Sequence, residues 1–299
     1  MARRLNQRWY LLLLATPFII ITFLFYYIPL FGWIFAFYEY KPGIPLSETP
    51  FVGLRYFVMT VTEWKQLRNV LVNTLVLSFL GLLLTPLPMF FAIFLQEIRW
   101  SFFKKAVQTF TTLPNFISWI IVFGIFFSIF SIEGLFNQLM LRWGLLEEPT
   151  NVLGNPEIAW YVQTALSLWK SLGWGSIIYL AAISGIDMHL YEAARVDGAG
   201  RWRCIWHITL PGLAPTYLVL LILQISMILS NGFEQYFVFY NPLVAPKLEV
   251  LDYYVYKIGI LGRSYSYSVA LGIWKTVISI TLLFLANAAA RRIRGQSII

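Results

Sequence analysis

Six long apolar stretches constrain this chain more than any other feature of its sequence. Each holds about 20 or more mostly apolar residues, which is the length an α-helix needs to cross the hydrocarbon core of a bilayer. They lie near 9–38, 70–96, 110–130, 158–186, 210–232 and 268–290. Because lipid offers the backbone no hydrogen-bond partners, spans built from continuous apolar runs must be helices. We therefore expect an all-α integral membrane protein in which residues 1–299 form one transmembrane domain.

The composition of the chain agrees with a membrane location. Of its 299 residues, 59% are hydrophobic and only 12% are charged, whereas about 25% of the residues of a soluble domain are charged. The formal net charge is +8. The preference of positive residues for cytoplasmic loops explains this charge better than nucleic-acid binding does. We expect membrane lipid, and not nucleic acid, as a partner.

The distribution of charge predicts which side each loop faces. The N-terminus, the 97–108 loop, the 187–209 loop and the tail after Ala290 lie on one side of a six-span topology. They hold twelve Lys/Arg and four acidic residues, against eight and ten in the three opposite loops. Since the basic side is cytoplasmic, both termini and the 187–209 loop are predicted inside. The first apolar stretch is too long for a signal peptide, so we interpret it as a retained span.

The chain lacks the common signatures of catalysis. It has no phosphate-binding G-x-x-x-x-G-K-[ST] loop and no G-x-S-x-G elbow. Its two histidines, His189 and His207, form no metal-ligand pattern with the single cysteine, Cys204. We predict that it is not an enzyme, and that it binds no cofactor or metal of its own. Uphill transport would then need an energy source in a partner or an ion gradient.

Two alternatives to an ATP-driven transporter follow from the composition. One is an ion-coupled secondary carrier, and the other is a membrane anchor or an intramembrane enzyme. Ion coupling usually relies on acidic residues within the spans. The spans of this chain hold no Asp or Glu that can be placed in their interiors, which weighs against the carrier.

The polar stretch from Tyr191 to Thr216 carries the most specific pattern. Glu192-Ala193-Ala194 is followed by three residues and Gly198, and nine further residues lead to I-T-L-P at 208–211. This E-A-A-x3-G-x9-I-x-L-P pattern resembles the loop of permease subunits in binding-protein-dependent ATP-binding-cassette (ABC) importers. Together with FKKAVQTFTTLPNFISW at 103–119, it is similar to the oligosaccharide and polysaccharide branch, which has the maltose-type permease fold.

The residues of this loop also predict its local structure. Tyr191–Ala194 and 199–205 can each form a short helix, because Gly198 and Gly200 allow a sharp turn between them. Pro211 then lies in the first turn of the fifth span, where a missing N–H costs little. The expected result is a helix that lies across the membrane normal, between spans 4 and 5.

The resemblance implies a function for the loop and a set of partners. It implies that the loop is a coupling helix that docks into a cleft on an ATPase subunit. Two such ABC ATPases would hold ATP-Mg, a second and non-identical permease would complete the path, and an extracytoplasmic solute-binding protein would deliver a sugar. The setting would be the bacterial cytoplasmic membrane. The residues that match the coupling loop are Glu192, Ala193, Ala194, Arg195, Asp197, Gly198, Ala199 and Gly200.

Polar and aromatic residues of the later spans are the candidates for the translocation path. Two of them are lysines within spans, and each has two equally favoured interpretations: a lining position, or a structural contact to backbone carbonyls. The aromatic residues of 233–267 are also open to two interpretations, of which an interfacial belt is favoured over an external docking or sugar-stacking surface. The path candidates are Asn115, Trp119, Lys170, Trp174, Asn231, Glu234, Trp274 and Lys275.

Overall fold

The computed structural model describes residues 2–62 and 64–294 and is helical over almost all of that length. Outside the helices, the described residues contain a single isolated β-bridge between Tyr38 and Phe51. The prediction of an all-α protein is confirmed. In chain order the helices are α1 (Ala2–Thr22), α2 (Arg55–Thr62), α3 (Trp64–Leu84), α4 (Pro86–Glu97), α5 (Ser101–Thr112), α6 (Trp119–Phe130), α7 (Leu135–Arg142), α8 (Ala159–Ser184), α9 (Met188–Val196), α10 (Arg201–Cys204), α11 (Leu210–Ser226), α12 (Glu234–Phe239), α13 (Ala245–Leu248), α14 (Leu251–Tyr256) and α15 (Tyr265–Arg294).

Six helical segments of the described chain are long and apolar enough to cross a bilayer, as the sequence predicts. They are Trp9–Phe37, Leu67–Glu97, Trp119–Arg142, Ala159–Ser184, Arg201–Ser226 and Tyr265–Arg292. The third begins nine residues later than the predicted 110. Pro114 cannot continue the hydrogen bonding of α5, because it lacks an N–H to donate. A 3₁₀ turn at Leu113–Phe116 therefore separates α5 from α6.

Prolines also explain two local widenings of the spans. The backbone forms one π-helical turn at Phe23–Tyr27, just before Pro29, and another at Ile205–Thr209, just before Pro211. In the second, the Leu210 N–H bonds to the Ile205 carbonyl. A π turn shifts the hydrogen-bond register by one residue, so the helix can pass a proline without ending. The fifth segment consequently begins at Arg201, before the predicted 210, and ends at Ser226, before the predicted 232.

The chain forms two compact units, and the prediction of one domain over 1–299 stays a prediction. One unit contains residues 1–64 and 255–276, and the other contains 65–254 and 277–299. In the first unit, the Ser266 hydroxyl donates to the Tyr38 carbonyl at 2.7 Å and accepts from the Tyr40 N–H at 3.0 Å. These two bonds fix the start of α15 to the loop that follows the first span.

In the second unit, α8 packs closely against α4 and α5. A side chain at Gly173 would overlap the backbone of Thr111, so only glycine permits this approach of α8 to α5. One buried apolar cluster joins α4, α8 and the start of the fifth span, and consists of Met89, Ala92, Ile93, Tyr179, Ile183, Ile205 and Leu213. The end of α8 and the segment that follows it are thereby held against α4.

A second buried cluster fixes the 233–250 segment on α6 and α8 within the same unit. Its members are Val122, Ala159, Leu166, Phe239, Val244 and Leu248. The Trp160 indole N–H also donates to the Lys247 carbonyl at 2.8 Å, and the Lys247 ammonium lies 3.9 Å from the centre of that ring. A cation at this distance over an indole is attracted by the π-electrons, so α13 is fixed to the beginning of α8.

Candidate functional site

The predicted short helix at Tyr191–Ala194 lies within the longer helix α9. Asp187 caps its N-terminus, where its carboxylate accepts from the His189 N–H at 2.9 Å. Such a cap satisfies one of the donors that a helix start leaves unpaired. The last residue of α9, Val196, is 88% exposed. The helix therefore presents an apolar tip to its surroundings.

A glycine turn ends α9 in the way the motif predicts. Gly198 has a φ of +76°, a backbone conformation that residues other than Gly and Asn rarely adopt. The Ala199 N–H bonds to the Ala194 carbonyl at 2.8 Å, and the Gly198 N–H bonds to the Arg195 carbonyl at 3.1 Å. These two bonds form a Schellman cap. Gly200 has an ordinary extended backbone, so the turn requires only the first of the two glycines.

The chain after the turn is anchored at several points. The predicted helix over 199–205 is the shorter α10, which continues through the π turn into α11. The Tyr191 and Thr209 hydroxyls lie 3.0 Å apart, which ties α9 to this turn. Ile205 belongs to the apolar cluster with α4 and α8. The 187–209 loop is thus a fixed structure rather than a loose connection.

The eight predicted coupling residues lie together on α9 and its turn. Glu192, Ala193, Arg195, Asp197, Gly198 and Gly200 are exposed, whereas Ala194 and Ala199 are half-buried. The His189 imidazole lies 3.3 Å from the Glu192 carboxylate, and both side chains are mostly exposed. A short, capped helix that exposes both apolar and charged side chains is suited to insertion into a groove on another protein.

Lys170 lies at the break between α5 and α6. Its ammonium donates to the carbonyls of Pro114 at 3.0 Å, Asn115 at 2.9 Å and Ile117 at 2.5 Å. The same group lies 5.4 Å from the centre of the Trp119 ring. Lys170 therefore makes the structural contact that was one of its two predicted roles, and we call this arrangement the Lys170 clamp.

The clamp gathers four of the predicted path residues. Asn115 and Trp119 contact Lys170 directly, and the Trp174 ring packs edge-on against Phe116 with centroids 5.6 Å apart. Glu234, at the start of α12, is close enough to interact electrostatically with Lys170. Trp174 is 49% exposed. The cluster combines an aromatic surface with polar groups at its edge.

The other path candidates lie elsewhere. Asn231 donates to the Ser78 hydroxyl at 2.9 Å and to the Thr74 carbonyl at 3.3 Å, so it joins α3 to the end of the fifth span. Trp274 and Lys275 lie on the part of α15 that belongs to the first unit, and Trp274 is 40% exposed.

Sequence reasoning missed a polar row on α3. The Asn73 amide donates to the Pro246 and Glu249 carbonyls at 3.0 and 3.2 Å, and the Thr74 hydroxyl accepts from the Leu251 N–H at 2.8 Å. Both side chains are fully buried. The signal was present in the sequence, because adjacent Asn and Thr in an apolar span must find partners. Over the described residues, His, Cys, Asp and Glu form no group able to hold a metal.

Residues 85–295 match the family model of the binding-protein-dependent transport system inner membrane component. The chain belongs to this family. The family prediction made from the 187–211 pattern is confirmed, and six apolar helices together with this membership make the chain a multi-pass inner-membrane permease.

Relatives of this permease align along nearly its whole length. The polygalacturonan/rhamnogalacturonan transport system permease protein YteP of Bacillus subtilis (strain 168) is 39% identical over 297 residues, which cover 99% of this chain and 92% of YteP. Protein LplB of the same organism is also 39% identical over 297 residues, 98% of this chain and 91% of LplB.

Two solved structures resemble the permease along nearly its whole length. A chain in the crystal structure of a bacterial ABC transporter involved in the import of the acidic polysaccharide alginate matches with a TM-score of 0.86 and 35% identity, over 98% of both chains. A second structure holds a bacterial alginate ABC transporter in complex with its alginate pentasaccharide-bound periplasmic protein. It matches with a TM-score of 0.86 and 35% identity, over 100% of this chain and 99% of that one.

The Lys170 clamp generates a prediction about stability. Lys170→Met keeps the length of the side chain but leaves three carbonyls without their donor. Because each hydrogen bond to a charged group contributes about 1.5–3 kcal/mol, we expect unfolding of the detergent-solubilised protein to shift to clearly lower temperature. Lys105→Met, at an exposed position on α5, is the matched control and should leave the melting temperature unchanged. Equal melting temperatures for the two variants would contradict the structural role of the clamp.

Proposed function

We propose that this permease forms half of the translocation path of an ATP-driven importer for an acidic oligosaccharide or polysaccharide. The full-length likeness to a chain of an alginate importer carries the proposal. The name of YteP supports it, because polygalacturonan and rhamnogalacturonan are, like alginate, polymers that contain uronic acids. Lys275, a lysine within the sixth span, has the charge that suits an anionic substrate. Lys170 adds positive charge among the path candidates, although its ammonium bonds to three carbonyls.

The 187–209 loop is proposed as the coupling helix. We place it in the cytoplasm together with both termini, because its side of the topology carries the excess of basic residues. The support from its structure is its rigidity: a Schellman cap at Gly198, a hydroxyl contact between Tyr191 and Thr209, and Ile205 in the apolar cluster. A rigid connector can transmit the closure of the ATPase pair to α8 and the fifth span without absorbing it.

The proposed assembly has four kinds of partner. Two ABC ATPases hold ATP-Mg and receive the coupling helix, while this chain itself performs no hydrolysis. A second, non-identical permease packs beside it and closes the path. An extracytoplasmic solute-binding protein delivers the sugar on the opposite face, as the complex of the alginate transporter with its periplasmic protein suggests. Lipid covers the remaining apolar surface.

The path is proposed to run past the polar and aromatic candidates of the later spans. The residues gathered at the Lys170 clamp, Asn115, Trp119 and Trp174, supply aromatic surface and polar groups close together. Flat apolar faces of sugar rings pack on such aromatic side chains. Four further residues remain candidates because they are polar or aromatic residues of the later spans: Asn231, Glu234, Trp274 and Lys275.

Substrate class is tested with the complete transporter in proteoliposomes. Binding protein loaded with oligogalacturonate should stimulate ATP hydrolysis, whereas a neutral oligosaccharide of equal length should not. Stimulation by the neutral sugar alone would contradict an acidic substrate. Uptake that ionophores abolish and ATP depletion does not affect would instead identify an ion-coupled carrier, and hydrolysis by the isolated chain would identify an enzyme.

The coupling helix is tested at its turn. Gly198→Val forces a β-branched residue into a left-handed backbone, which costs at least about 1–2 kcal/mol. We expect the variant to copurify with less ATPase and to lose sugar-stimulated hydrolysis, while Gly198→Asn, which tolerates this conformation, retains both.

Gly144→Val is the matched control for the coupling test. Gly144 also has a positive φ, of +68°, and space for a side chain, but it follows α7. It should copurify with normal amounts of ATPase. Full uptake by the Gly198→Val variant would contradict the coupling role.

A further inference from the structure

A cavity of about 540 Å³ lies between the 187–209 loop and the ends of α4 and α8, and we call it the loop cavity. Its wall includes Glu97 and Arg99 at the end of α4, Tyr191 and Arg195 on α9, and Arg201 and Cys204 on α10. The volume falls within the range of about 300–1,000 Å³ that is typical of small-molecule sites. Three of its lining residues, Arg195, Ala199 and Gly200, also belong to the proposed coupling loop.

The charge of the cavity wall is its most informative property. Three arginines and one glutamate line it, so the wall carries a net charge of +2. Over the residues that the structure describes, none of the three guanidinium groups forms an ion pair or a hydrogen bond with another side chain or with the backbone. All three side chains are exposed, so their guanidinium groups are free to pair with an anion that enters the cavity.

The location of the cavity narrows the choice of anion. The spans Leu67–Glu97 and Ala159–Ser184 end at it, and the span Arg201–Ser226 begins there. The ends of membrane-spanning helices lie at the level of the lipid headgroups. Basic pockets between such ends are suited to the phosphates of anionic lipids, and a guanidinium pairs with phosphate oxygens through two parallel hydrogen bonds.

We propose that the loop cavity is a phosphate-binding site formed by Arg99, Arg195 and Arg201. In the membrane, the phosphate belongs to the headgroup of an anionic phospholipid; free phosphate has the same chemistry and is the other source. The exposed tip of α9, at Val196, does not line the cavity. A bound headgroup would therefore link α9 and α10 to the end of α4 and leave that tip accessible. The binding claim holds whether or not the loop couples to an ATPase.

Lipid binding is measured on the purified full-length chain. Native mass spectrometry and titration with phosphatidylglycerol in detergent, against phosphatidylcholine, give its affinity for an anionic headgroup. Inorganic phosphate is titrated separately to distinguish a free anion from a lipid. We expect the double variant Arg99→Gln/Arg201→Gln to bind phosphatidylglycerol about 25-fold more weakly, at about fivefold for each arginine lost.

A charge-matched control separates a site from general attraction. Arg203→Gln/Arg292→Gln removes the same charge from α10 and from α15, but neither residue lines the cavity. This variant should bind the lipid with no more than a small loss of affinity. An equal loss in both double variants would overturn the proposal, because the lipid would then be attracted only by the net charge.

Cys204 supplies a second measurement that does not depend on folding yield. It is the only cysteine of the chain and lines the cavity, so a neutral maleimide labels this one position. Phosphatidylglycerol or inorganic phosphate should slow the labelling of Cys204 in the parent protein and in the control variant, but not in Arg99→Gln/Arg201→Gln. Slower labelling of Cys204 with either anion supports the site, and the anion that slows it identifies whether a lipid headgroup or free phosphate binds. Labelling that neither anion slows would show that the cavity binds no phosphate group.

Discussion

The need to satisfy backbone polar groups wherever a membrane helix is interrupted determines much of this structure. Lipid provides no donors or acceptors, so each break needs a partner from the protein itself. At the break between α5 and α6, the Lys170 ammonium bonds to three carbonyls. At the end of the fifth span, Ser78 donates to the Ile228 carbonyl at 2.6 Å. Polar side chains within apolar spans thus stabilise the breaks.

The 187–209 loop, which is proposed to face water, is held together by its own hydrogen bonds and apolar contacts. Its helix α9 has a capped start at Asp187 and a Schellman cap at Gly198, so its terminal groups are largely paired within the loop. The π turn before Pro211 then lets α10 run into the fifth span without a hinge. Since Ile205 also lies in the cluster with α4 and α8, a force on α9 reaches two spans directly. This is the property that a coupling element requires.

Much of the fold could be predicted because it depends on the apolar character of long stretches and on motif spacing, both of which the sequence shows directly. The six spans follow from apolar length, and Gly198 follows from a motif with fixed spacing. The breaks were harder to place. The apolar pattern of the sequence placed Pro114 inside the third span, whereas the helix is interrupted there. An interruption leaves carbonyls unpaired, and only the structure shows that Lys170 is close enough to donate to them.

The role of Lys170 shows where sequence reasoning ends. Its charge within an apolar run indicated either a path position or a carbonyl contact, and only the distance to three carbonyls favours the second. The α3 row of Asn73 and Thr74 depends in the same way on contacts with 246–251, which are more than 170 residues away in the chain. The pattern of a single helix does not contain such pairings.

The proposed coupling role requires α9 to lie in the cytoplasm and to bind in a groove of an ATPase subunit. Val196 at its tip is 88% exposed, so a cysteine there, in a Cys204→Ser chain, reports its surroundings directly. In inverted membrane vesicles, a membrane-impermeant maleimide should label Val196→Cys when the ATPase subunits are absent and fail to label it when they are bound. Labelling of intact spheroplasts from the outside would contradict the cytoplasmic location of α9, and labelling that bound ATPase does not change would contradict its docking.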